Sequence, residues 1–71
     1  MSDEPCGYCI GKATRYEDDD WVSYPPYMKD DPETLYDVLR TAIYPSRKYA
    51  RLAGDLATVF NPVGFVVLRI K

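Results

Sequence analysis

Pro45 is the residue that most constrains this fold, because two helical patterns meet on either side of it. Upstream, Asp31-Pro32-Glu33 offers a carboxylate cap, a proline suited to the first helical position and an acid near the positive end of the helix dipole. Leu35, Val38, Leu39, Ala42 and Ile43 follow at i, i+3, i+4, i+7 and i+8, a stripe expected to face a core. Pro45 disfavours helical backbone at Tyr44, so this helix is expected to stop there. Downstream, Ser46 is the expected cap of a second helix, with Tyr49, Leu52, Ala53, Leu56, Val59 and Phe60 on one face. Asn61 is expected in the left-handed position that closes it, and Pro62 prevents continuation. Gly54 inside the helix costs up to about 1 kcal/mol relative to alanine, tolerable where another element must approach closely. Two helices joined through Pro45-Ser46 form a helical hairpin or corner.

Gly64 then turns the chain into Phe65-Val66-Val67-Leu68-Arg69-Ile70-Lys71, a β-branched strand. Val66, Leu68 and Ile70 form one face, and Phe65, Val67 and Arg69 the other. Its backbone groups need a partner. The first half supplies candidates in residues 7–16 and in Trp21-Val22-Ser23-Tyr24, the latter ended by Pro25-Pro26. The expected fold is therefore a single small α+β domain over residues 1–71, ordered β(β)ααβ. Its two adjacent amphipathic helices pack on a short antiparallel sheet, the terminal strands pair, and residues 1–6 are loose.

A chain of 71 residues sits near the size at which one core only just offsets the entropy of ordering. Little volume remains for an enclosed substrate pocket, so recognition at a surface is expected rather than catalysis. With 46% hydrophobic residues, disorder of the whole chain is not expected. The net charge of −2 hides an asymmetry: residues 1–33 carry nine acids against three bases, and residues 34–71 two acids against six bases. Such asymmetry marks an interaction surface, or two halves that pair internally or are simply solvated. There is no basic-then-apolar opening and no apolar run near the ~20 residues of a membrane helix. A monomer in the cytoplasm of a bacterial host is expected, with both cysteines reduced.

Three constellations could carry chemistry. Cys6-Gly7-Tyr8-Cys9 could give two thiolates to zinc, making Cys6 and Cys9 weak metal candidates, but the chain has no histidine and no third cysteine to complete four ligands. A redox pair would need a strand ahead of the motif. No cofactor is expected. The run Glu17-Asp18-Asp19-Asp20 lies between Tyr16 and Trp21, with Tyr24 beyond. It lacks calcium-loop spacing and a nearby nucleophile. One reading is a solvated hairpin tip; the other is a negative patch with aromatic anchors aimed at a basic protein, since tyrosine and tryptophan dominate hot spots and charge speeds encounter. The residues of that surface are Tyr16, Glu17, Asp18, Asp19, Asp20, Trp21 and Tyr24. Arg40, Arg47, Lys48 and Arg51 are too few, in an acidic chain, for direct nucleic-acid binding to be expected.

Glu33-Thr34-Leu35 at a helix start, and Pro62-Val63-Gly64-Phe65-Val66-Val67-Leu68-Arg69 from a helix end into a closing strand, resemble small lytic-phage proteins that bind host RNA polymerase. The size, acidity and CxxC-like opening resemble those of phage transcription regulators as well. The match covers about a third of the chain, and a second helix stands between its two pieces. The resemblance implies a non-catalytic protein that binds the bacterial polymerase by occlusion, inhibiting initiation or promoting antitermination. The same acidic face would also suit another phage inhibitor, an anti-CRISPR or a nucleic-acid mimic.

Overall fold

The computed structural model describes residues 4–71. In chain order it contains β1 (Gly7–Lys12), β2 (Trp21–Val22), α1 (Leu35–Thr41), α2 (Arg47–Phe60) and β3 (Phe65–Ile70). This is the expected small α+β domain. The expectation of a loose segment at 1–6 falls partly on residues 1–3, outside the described residues, while the Cys6 amide donates to the Ile70 carbonyl at 2.8 Å.

β3 is the central strand, in the order β1-β3-β2. β1 pairs with it antiparallel, from Gly7 opposite Ile70 to Lys12 opposite Phe65. β2 pairs with its other edge in parallel, Trp21 opposite Arg69 and Val22 opposite Ile70. The sheet is therefore mixed rather than purely antiparallel. The cause is the turn after β1, where the Arg15 and Tyr16 amides both donate to the Lys12 carbonyl. The returning chain runs opposite to β1 and hence alongside β3. Side-chain alternation gives the sheet two buried faces. Ile10 and Val67 lie against Ala50 and Ala57 of α2, with Tyr8, Tyr36, Leu39, Tyr44 and Phe65 around them. Cys9, Leu68 and Ile70 form the opposite face, covered by Tyr16, Val22 and Val66. The alternation expected for β3 is thus the one observed.

The first helix is shorter than expected. Its cap is Thr34, not Asp31: the Thr34 hydroxyl accepts from the Asp37 amide at 3.1 Å and the Asp37 carboxylate accepts from the Thr34 amide at 3.3 Å. This capping box satisfies two amides at once, where Asp31 alone would satisfy one. The helix ends at Thr41 because Ala42 is extended, and Tyr44 exchanges two backbone hydrogen bonds with Tyr8 at 2.7 and 2.8 Å. The conformation that Pro45 imposes on Tyr44 is used to pair the open side of β1.

α2 has the expected limits and cap, with Ser46 Oγ accepting from the Tyr49 amide at 3.3 Å. Asn61 is extended at φ −148°, not left-handed; the left-handed residue is Gly64, at φ +79°. The orientation of both helices also differs from expectation. α2 buries Ala50, Ala53, Gly54 and Ala57, while Tyr49, Leu52, Leu56, Val59 and Phe60 are exposed. On α1 the buried residues are Asp37 and Arg40, and Leu35 and Val38 are exposed, as is Ile43 beyond it. The sheet explains the inversion. Its helix-facing side already carries Ile10, Phe65 and Val67, so the helix lying on it must present small side chains. A Cβ at Gly54 would fall 2.2 Å from the Phe65 ring.

Candidate functional surfaces

The acidic run is not a hairpin tip but a strap along the second edge of β3. The Asp19 amide donates to the Val67 carbonyl at 2.7 Å, and the Arg69 amide donates to the Asp20 carbonyl at 2.8 Å. Asp18 Oδ1 accepts from the Val67 amide at 3.1 Å, so a carboxylate occupies a backbone donor of the central strand. That amide, and then Arg47, hold the Asp18 carboxyl below its ordinary pKa. Arg47 Nη2 donates to Asp18 at 2.7 Å, and its other terminal nitrogen pairs with Asp19. Asp19 takes a positive φ of 65°, which aspartate tolerates better than most residues. The basic second half therefore neutralises part of the acidic segment within the molecule.

The remaining predicted surface residues divide into two groups. Glu17, Asp20 and Tyr24 are exposed; Tyr16 and Trp21 are half-buried. The Trp21 amide donates to its neighbour Asp20 Oδ1 at 3.0 Å. The Arg69 guanidinium lies 4.3 Å from the centre of the Trp21 ring, while its Nε donates to the Asp19 carbonyl at 2.7 Å. Tyr16 packs on the Cys9–Leu68–Ile70 face, and with Val22, Ser23, Tyr24 and Pro26 it lines an open depression. Asp18 is exposed as well but is paired with Arg47. The acids of this segment left without an ion pair among the described residues are Glu17 and Asp20, beside one exposed tyrosine, not a continuous acidic-aromatic plate.

A larger surface lies on the helical layer. Tyr49, Leu52, Leu56 and Val59 recur at alternating spacings of three and four along the outer side of α2, with Phe60 beside them. Val59 is 75% and Leu52 56% exposed, values outside the range of core positions. Leu35 and Val38 add a second stripe on α1, which packs beside α2. Lys48, Arg51 and Asp55 are the exposed charges on α2. Periodicity revealed these residues but assigned them to the core. The competing signal was the small stripe Ala50-Ala53-Gly54-Ala57, also at i, i+3, i+4 and i+7.

Beneath α1 lies a polar cluster with no precedent in the helical pattern. Asp37 accepts from the Tyr27 hydroxyl at 2.7 Å, Lys29 Nζ at 2.9 Å, and the amides of Glu33 and Thr34. Lys29 first, then Tyr27 and the amides, hold its carboxyl well below the ordinary carboxylate range. Arg40 donates to the Tyr36 hydroxyl at 2.9 Å and lies over two rings, 4.5 Å from the centre of Tyr27 and 5.4 Å from that of Tyr36. Asn61 at the end of α2 donates to the same Tyr36 hydroxyl at 3.2 Å, tying the two helices together.

The two cysteines are placed differently. Cys6 is exposed, whereas Cys9 is fully buried against Leu68 and Ile70, where desolvation pushes its thiol up to about 11. Such a thiol is protonated at neutral pH and is poorly suited to attack or metal ligation. Among the described residues no group of three or more potential metal ligands gathers, and no helix is long and apolar enough to cross a membrane.

No protein-family model matches the sequence, and neither a curated protein nor a solved structure matches the chain.

Proposed function

We propose that this chain is a non-catalytic binding protein whose partner is bacterial RNA polymerase, which it regulates by covering part of the polymerase surface. The observation that carries the binding role is the outward row Tyr49, Leu52, Leu56 and Val59 with Phe60, large apolar side chains exposed on a helix whose small residues are buried. A row of neighbouring large apolar side chains left exposed on one helix face is characteristic of an interaction site. Leu35 and Val38 extend the face across α1, and Glu17, Asp20 and Tyr24 supply a separate acidic and aromatic edge. The apolar row provides affinity through desolvation, and Glu17 and Asp20, without an ion pair among the described residues, speed encounter with a basic surface. The choice of partner rests on the resemblance of the helix start at 33–35 and the turn and strand at 62–69 to phage regulators of the polymerase. Occlusion would alter initiation or termination without any bond being made or broken.

The test is direct binding of the purified chain to purified core polymerase and holoenzyme, paired with promoter-dependent transcription in vitro. Leu52→Ser with Leu56→Ser should weaken binding by about a hundredfold if each leucine contributes about 1.5 kcal/mol on burial. Replacing Glu17 and Asp20 with serine should slow association and reduce its salt dependence. Absence of binding to either polymerase form would refute the partner. Binding unaffected by the leucine changes would refute the surface.

A further inference from the structure

A second, chemically opposite feature lies where the turn after β1 meets α1. Lys12, Arg15 and Arg40 converge on a cleft of about 170 Å³, completed by Tyr16, Pro26 and Tyr27. Among the described residues three cations line it and no acid does. Arg40 is only 7% exposed, yet no carboxylate among the described residues is within ion-pair distance of its guanidinium. The nearest acid on its helix, Asp37, is occupied by Lys29 and Tyr27. The face of the Tyr27 ring, the Tyr36 ring and the Tyr36 hydroxyl compensate the guanidinium in part. Buried cations are ordinarily paired with a counter-charge, and this one faces a cleft where two further cations stand.

We propose that this cleft binds a phosphate group, free or carried on a small ester. A tetrahedral dianion matches the donors present: the buried Arg40, with N–H groups beyond the one given to the Tyr36 hydroxyl, on the floor, and the more exposed Lys12 and Arg15 at the rim. The volume suits one such group with a short carrier and falls well below the roughly 300 Å³ at which sites for larger ligands begin. The rim residues come from the end of β1 and its turn, and the floor residue from the last turn of α1. An occupant would therefore join the sheet to the first helix. The proposal is independent of the polymerase reading, because it uses none of the residues assigned to that surface except Tyr16.

The experiment is a titration of the ¹⁵N-labelled chain with inorganic phosphate, followed by amide and guanidinium resonances, against sodium chloride at matched ionic strength. Saturable shifts centred on Lys12, Arg15, Tyr27 and Arg40 are expected with phosphate and not with chloride. The rim variants Lys12→Gln and Arg15→Gln, whose spectra report directly that they fold, should each weaken phosphate binding about tenfold. A parallel titration with glycerol phosphate separates the sources: tighter binding than free phosphate assigns an ester, and equal binding assigns the free ion. Shifts that track ionic strength alone, or survive unchanged in the double rim variant, would overturn the site. So would binding of a phosphodiester oligonucleotide in the absence of any response to free phosphate.

Discussion

Gly54→Ala tests the inverted packing of α2. In an exposed helix interior this substitution stabilises by about 1 kcal/mol, because alanine loses less backbone entropy than glycine. Here the new Cβ would sit 2.2, 2.3 and 2.6 Å from Cδ2, Cε2 and Cγ of Phe65. Those separations are far inside the roughly 3.5–4.0 Å optimum for carbon pairs. Because Cγ lies on the ring's rotation axis, turning the ring moves Cδ2 and Cε2 but leaves the Cγ contact in place, so the whole side chain or the helix must move. Overpacking of this kind costs about 1–3 kcal/mol. Taking about 2 kcal/mol for the clash against about 1 kcal/mol of helix propensity leaves a net loss of about 1 kcal/mol. For a domain this size that corresponds to a fall of about 4–8 °C in Tm. In a Phe65→Ala background the clash is absent, so Gly54→Ala should stabilise by up to about 1 kcal/mol, giving a coupling of about 2 kcal/mol. Urea denaturation of the four proteins, with unchanged slopes, measures the cycle. If Gly54→Ala raises the midpoint in the otherwise unchanged chain, glycine faces solvent. The large apolar row would then be the buried side of α2, removing the observation on which the proposed binding surface stands.

Two further outcomes are expected from the polar elements. Thr34→Ala should cost about 1 kcal/mol through loss of the first-helix cap, whereas Asp31→Ala should stay within about 0.5 kcal/mol; thermal unfolding of the pair distinguishes the two caps, and equal effects would contradict the capping box. The carboxyl of Asp37 is held below its ordinary value of 3.8 by Lys29, Tyr27 and two amides, so the folded state binds its proton less readily than the unfolded chain. Its contribution is present above that value and is lost as pH falls through and below it. Asp18 acts with the same sign. Urea midpoints from about pH 6 to pH 2 should therefore decline on the acid side, and Asp37→Asn should flatten that decline; an unchanged acid limb would show that another group sets it.

The elements themselves were legible because their signals are local. Ser46 with Tyr49, the glycine and proline around residues 62–64, and the alternation of residues 65–70 each act within a few positions. Orientation is not local. α2 carries two stripes with the same period, one large and one small, and burying the larger is the natural inference from hydrophobicity alone. Which stripe faces the sheet depends on how much volume the sheet already presents, and that is set by Ile10, Phe65 and Val67 from opposite ends of the chain. The acidic run was legible as charge but not as a β3 strap, since its partner Val67 lies 49 positions away from Asp18. The Lys12–Arg15–Arg40 cleft was illegible for the same reason, its cations being spread over two distant segments.

The central place of β3 also bears on how the molecule reaches this state. Its pairing with β1 joins Gly7 to Ile70, so the sheet closes almost the whole length of the chain before its backbone hydrogen bonds form. Such closure is slow compared with the local contacts of α1 and α2. Until it happens, Phe65-Val66-Val67-Leu68 is an unpaired β-prone segment with no charge and no proline. The finished fold protects one edge of that segment with β1 and the other with the acidic strap. During folding neither guard is in place, and the hazard of self-association is concentrated in the interval before the last strand docks.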